Sequence, residues 1–197
     1  YLYLWIGNLF NTAGLWIQQV TISWLVWKLS SSASMVGIAA GLRFVPFLFM
    51  GPLAGVAADR MDRRWLLIIT QSLAALLALA LALLSYFGTV QVWHIYTVTF
   101  LAGAVGIFDS PARTALIPTL VRPEQLATAY ALNITWRQIA TLSGPFIGGV
   151  IIAAVGISTA YFIDALSFLS VIIYLAIMRA RPAATSEGVA KRRFGSA

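Results

Sequence analysis

The sequence predicts an all-α integral membrane protein, and three observations carry that expectation. Six apolar runs can be counted, each near the roughly 20 residues needed to span a bilayer. The chain is 60% hydrophobic and 10% charged, where a soluble domain would carry about 25% charged residues. Its bases cluster between apolar runs rather than across one face. That distribution reads as a topology signal and not as a nucleic-acid footprint, despite a net charge of +7. Cysteine is absent, so neither a disulfide framework nor a thiolate metal site is expected.

The first apolar segment runs from about Leu2 to Trp27 and ends in the polar turn Lys28-Leu29-Ser30-Ser31-Ser32. The chain opens inside or just before this helix with no basic leader, as a piece of a longer protein would. The second segment runs from about Ser34 to Ala58 and the third from Trp65 to Phe87. Gly88-Thr89-Val90-Gln91 is read as a tight turn into the fourth, Val92 to Ala112. A longer connection, Arg113 to Gln125, leads to the fifth, Leu126 to Val155, and the sixth, Thr159 to Met178. Residues 1–178 thus form one transmembrane unit. The tail 179–197, rich in Arg, Lys, Pro, Ala, Ser and Gly, reads as a basic, disordered linker.

Orientation follows from the bases. The loops after the second and fourth segments and the tail hold Arg60, Arg63, Arg64, Arg113, Arg122, Arg179, Arg181, Lys191, Arg192 and Arg193, against Lys28 alone in the opposite loops. Both termini are therefore expected in the cytoplasm of a multi-pass inner (plasma) membrane protein. Gly51-Pro52-Leu53-Ala54-Gly55-Val56 in segment two and Gly144-Pro145-Phe146-Ile147-Gly148-Gly149-Val150 in segment five occupy equivalent places in two triplets of segments. An inverted three-plus-three repeat produces that relation.

The stretch Gly51 to Arg64, GPLAGVAADRMDRR, joins two lipid-length segments through a short charged hairpin. Gly51 and Gly55 share a helix face that admits a close backbone neighbour. Topology requires only the bases, so Asp59 and Asp62 call for another explanation. The spacing Gly55-x-x-x-Asp59-Arg60-x-x-Arg63-Arg64 resembles motif A of the major facilitator superfamily, with Asp62 where that motif has Gly. Segment five resembles motif C, the GPxxGG signature of its proton-linked antiporters, in Gly144, Pro145, Gly148 and Gly149, with Ala140 in place of a Gly. Ala140, Gly144 and Gly148 also make a small-residue stripe suited to helix packing, and Pro145 removes a backbone donor. Asp109-Ser110-Pro111-Ala112-Arg113, Pro123-Glu124-Gln125-Leu126 and Arg43-Phe44-Val45-Pro46 resemble the enterobactin-exporter-like branch of drug and siderophore exporters.

The resemblance implies the N-terminal half of a twelve-helix transporter. It implies a lipid bilayer, a small-molecule substrate and a missing six-helix C-terminal half as partners, with the proton gradient as energy source and no cofactor. It further implies a cytoplasmic latch of Asp59, Arg63 and Asp109 that locks one transport state. A nutrient-importing facilitator and a non-transporting receptor or scaffold are the alternative functions. An enzyme is not expected: His94 is the only histidine, and Thr141-Leu142-Ser143-Gly144 lacks the first Gly of an intramembrane serine protease motif.

Charges inside apolar segments cost about 2.5–3.5 kcal/mol each on insertion scales, which makes each a candidate functional site. Arg43, Arg137 and Asp164 are the candidates for the transport path. Arg137 falls near the midplane of its segment, with Asn133 and Thr141 one turn to either side. Arg43 and Asp164 both fall in the outer half, at levels where they can pair. Asn8, Asn11 and Gln18 lie near one face of the first helix, which the resemblance implies lines the central cavity. Each of these groups has an alternative role as a buried structural pair or packing contact.

Overall fold

The computed structural model describes residues 2–120 and 123–177, and their side chains apart from 2–13, 53–60, 63, 113, 115–120, 123, 136–137, 170 and 174–177. The described residues are helical throughout, joined by short turns. The helices are α1 (Leu2–Ser30), α2 (Ala33–Leu42), α3 (Val45–Arg60), α4 (Arg63–Tyr86), α5 (Val92–Leu120) and α6 (Leu126–Ile177), with a 3₁₀ turn at Pro123–Gln125. A lipid environment favours this outcome, because helices satisfy every backbone polar group internally. Among the described residues, Ala33–Pro52, Arg64–Tyr86, Val92–Ala112 and Leu126–Ile173 are long and apolar enough to cross a membrane.

The turns follow their local chemistry. Ser31 breaks α1 from α2 with a left-handed φ of 51°. Gly88, at φ 68°, ends α4 in a conformation that favours glycine. There the Thr89 amide reaches back to the Leu84 carbonyl at 3.1 Å, the six-to-one bond of a Schellman ending. At the other end of α4, the Asp62 carboxylate accepts from the Arg64 amide at 2.8 Å and the Trp65 amide at 3.4 Å. Asp62 departs from motif A, and in return it caps a helix.

Three expectations change. The second apolar segment is not one helix: it is interrupted at Arg43 and Phe44, between α2 and α3. Pro46 explains the interruption, since it lacks the amide that would continue the ladder and disfavours helix in the residue before it. The Phe44 amide instead bonds the Gly41 carbonyl at 2.9 Å, and the Phe47 amide bonds the Phe44 carbonyl at 3.0 Å. The fourth segment continues as helix to Leu120, well past the expected start of the connection at Arg113. The helix thus runs past Ala112, where its apolar span ends.

The fifth and sixth segments form the two arms of α6, which breaks at Gly156 (φ 81°, ψ 170°), a backbone region essentially restricted to glycine. Gly144 and Gly148 of the first arm meet Trp16 and Val20 of α1, whereas Asp164 and Ser167 of the second arm meet Gly14. Residues on both sides of Gly156 thus reach the same level of α1. The arms fold back on one another as a hairpin.

A core of Ile22, Leu25, Val26, Ala39, Leu81, Ala82, Ile95, Val98 and Tyr161 joins five helices near the end of the bundle that carries the α1–α2 and α4–α5 turns. Elsewhere large apolar side chains stay uncovered by protein: Leu142 is 84% exposed, Leu48 76%, Phe146 75%. An apolar surface of this extent calls for lipid or a partner domain.

Candidate functional site

The membrane-embedded polar groups converge where α1, the α2–α3 break and the second arm of α6 meet. Gln19, on α1, accepts a hydrogen bond from Arg43 Nη1 at 2.8 Å. Arg43 sits at the helix interruption, and its backbone presses against Gly103 of α5. A Cβ at Gly103 would strike the Arg43 carbonyl oxygen and stand 3.0 Å from its carbonyl carbon. Glycine is required for that approach. Asp164, on α6, is fully buried, and neither carboxylate oxygen has a hydrogen-bond partner among the described residues. It lies within electrostatic reach of Arg43 and of Tyr161, whose hydroxyl is also buried without a partner. The expected Arg43–Asp164 pairing is therefore one of proximity; the guanidinium bond goes to Gln19. Gly14 makes room for the acid, since a Cβ there would lie 2.6 Å from Asp164 Oδ1 and 2.5 Å from Ser167 Oγ. Ser167 turns its hydroxyl to the Asp164 carbonyl at 2.7 Å.

A second polar group lies toward the α3–α4 end of the bundle. Asp109 on α5 accepts from Gln71 Nε2 at 2.7 Å and from the Thr70 hydroxyl at 3.2 Å, both on α4. Thr70 and Gln71 are buried, and the sequence reading passed over them. Two adjacent polar residues in the apolar run after Arg64 were the available signal. The expected latch residues Asp59 and Arg63, with Arg60 and Gly55, have side chains outside the described residues. Among the described residues, a Cβ at Gly51 would meet only the Phe47 ring of its own helix, at 3.9 Å, and the close backbone approach they show is that of Gly103 to the Arg43 break.

The small-residue stripe of segment five is a packing seam. Ala140 is buried at 6% exposure. A Cβ on Gly144 would overlap the indole of Trp16, and one on Gly148 would lie 3.2 Å from Val20 Cγ2 and 3.3 Å from the Trp16 carbonyl oxygen. Among the described residues a Cβ on Gly149 would meet nothing within 4 Å, and Pro145 is exposed. Gly144 and Gly148 therefore pack against α1, with Ala140 buried one turn before them, while Pro145 is exposed.

Of the expected path residues on α1, Gln18 is 3% exposed. Its neighbour Gln19, at the adjacent position on the helix, is the one that bonds Arg43. The side chains of Asn8, Asn11 and Arg137 lie outside the described residues.

The whole chain, residues 1–197, matches the family described as transmembrane secretion effector. It is 26% identical over 176 residues to macrolide efflux protein A of Streptococcus pyogenes, covering 89% of this chain and 44% of that protein. It is 30% identical over 164 residues to the staphyloferrin A transporter of Staphylococcus aureus, covering 82% of this chain and 41% of that protein. It is 30% identical over 170 residues to the multidrug efflux pump Tap of Mycobacterium tuberculosis, covering 82% and 40%. The chain spans less than half the length of the curated relatives it matches. These relatives are transporters and not enzymes. With its apolar helices and its motif A and motif C residues, this chain is a multi-pass membrane protein of the transmembrane secretion effector family, within the major facilitator superfamily.

Proposed function

We propose that this chain forms the N-terminal half of a proton-linked exporter of small molecules that works by alternating access. In this reading residues 1–178 cross the membrane six times as an inverted three-plus-three repeat, with both termini in the cytoplasm. A second six-helix half completes the substrate path, since the sites of such transporters lie near the midplane between repeats. Asp59, Arg63 and Asp109 form the cytoplasmic latch, with Thr70 and Gln71 steadying Asp109. The seam of Ala140, Gly144 and Gly148 holds α6 to α1.

The observation that carries the reading is the shared direction of the relatives' names: macrolide efflux and multidrug efflux. A third, the staphyloferrin A transporter, extends the chemistry to a siderophore. Substrates of this breadth suit an amphipathic cavity with few fixed polar groups. The test is accumulation of a radiolabelled macrolide in cells producing the full-length protein. Accumulation should fall below that of control cells and recover when a protonophore is added. Accumulation above control would mark an importer and overturn the reading.

A further inference from the structure

Asp164 is placed where a carboxylate has little reason to be. It is fully buried in a membrane helix, and neither of its oxygens has a hydrogen-bond partner among the described residues. The nearby cation, Arg43, directs Nη1 at Gln19 instead, at 2.8 Å. An ionised carboxylate deprived of water and of hydrogen bonds is strongly disfavoured, whereas a neutral carboxylic acid avoids most of that penalty. The arrangement fits an acid carrying its proton, with the guanidinium parked on a neutral amide.

We propose that Asp164 is the proton-binding site of this half and that Arg43 is its switch. With the proton on Asp164, Arg43 bonds Gln19, as the structure has it. When the proton leaves to water, the carboxylate charge draws the guanidinium from Gln19, and a bond between two opposite charges replaces one between the guanidinium and a neutral amide. Arg43 keeps its own proton throughout, because guanidinium does not deprotonate in proteins. The movement needs only its side chain: the backbone at the α2–α3 break stays packed against Gly103 while the long guanidinium arm swings between Gln19 and Asp164.

The surroundings leave few competitors. Among the described residues the charged or titratable groups in reach of Asp164 are Arg43 and Tyr161. From α1, Gly14 meets the carboxyl group and brings no charge. On α4 and α5 the titratable residues are Arg63, Arg64, Tyr86, His94, Tyr96, Asp109 and Arg113; of these Tyr96 is committed to the Met35 carbonyl and Asp109 to Thr70 and Gln71.

The proposal rests on the proton-coupled reading above, but its first test needs no transport. The infrared carbonyl band of protonated carboxyl groups is followed across pH in the purified full-length protein, without substrate. Wild type should show a band that disappears as pH rises and is missing in Asp164→Asn. Asp164→Glu, which retains the acid one methylene further out, should displace the band and guards against misfolding of the Asn variant. Arg43→Gln should change the pH at which the band is lost. An Asp164 band that is absent at every pH, or that never titrates, overturns the proposal, as does an unchanged titration in Arg43→Gln. The second test uses proteoliposomes with erythromycin as probe. Asp164→Asn should lose accumulation driven by a pH gradient and retain exchange of erythromycin across the membrane. Gradient-driven accumulation at the wild-type rate in Asp164→Asn overturns the proposal. If wild type moves no erythromycin, the macrolide-export reading fails while the titration still decides the role of Asp164.

Discussion

Replacing Gly144 with alanine should destabilise the bundle through one identifiable collision. The new Cβ would lie 2.5 Å from Trp16 Cδ1 and 2.7 Å from Cδ2. Ordinary carbon–carbon contact is about 3.5–4.0 Å, so the indole has to retreat by roughly 1 Å or more. A rigid indole ring has no flexible end with which to absorb that displacement. The Trp16 carbonyl oxygen is also held close to Gly148, at 3.3 Å from where its Cβ would be. Overpacking of this kind costs about 1–3 kcal/mol. Gly149, five positions past the seam's Gly144 and next to Gly148, is the internal control, because its Cβ would meet nothing within 4 Å. The assay is equilibrium unfolding of the full-length protein in mixed detergent micelles, followed by circular dichroism. Gly144→Ala should lose stability in that range, and Gly149→Ala should lose only a fraction of it. In a Trp16→Leu background the further cost of Gly144→Ala should largely vanish, as a double-mutant cycle would show. Equal costs at the two glycines, or no relief from Trp16→Leu, would refute the packing argument.

Asp62→Ala removes the cap of α4 and should cost about 0.5–2 kcal/mol, with Asp62→Asn close to wild type in the same unfolding assay. Asp59→Asn, Arg63→Ala and Asp109→Asn should each cut efflux sharply at near-normal membrane abundance, measured by immunoblot and drug accumulation; wild-type efflux from all three rules out the latch. Arg137→Ala should reduce efflux at matched protein levels. Arg137→Lys, which retains charge but loses the planar fork, should rescue it only if charge alone matters. Cysteines introduced near Ser31 should label from outside and those near Asp62 from inside, and the reverse pattern overturns the topology.

Much of the fold was legible because lipid imposes one rule, an apolar run long enough to span, and turn chemistry marks the ends. Ser31 and Gly88 fell where polar and Gly-containing turns were expected. The break at Arg43 and Phe44 was less visible, since hydropathy is unaffected by a helix interruption. Val45-Pro46 was its only local sign. Gly156 was similarly hidden among apolar residues, and its positive φ belongs to the hairpin rather than to the sequence pattern. At the site, residue count placed Arg43 and Asp164 at similar levels, and the structure has them within electrostatic reach, but hydrogen-bond choice depends on rotation about the helix axes. That rotation put Gln19, and not Gln18, beside Arg43. Thr70 and Gln71 escaped notice because a neutral polar residue in a span carries a weaker signal than a charge.

Transport in everted membrane vesicles containing the full-length protein tests the central claim most directly. With the vesicle interior acidified, radiolabelled macrolide should accumulate inside, and collapsing the pH gradient should release it. Absence of gradient-driven accumulation, with uptake instead by right-side-out vesicles, would contradict proton-linked export.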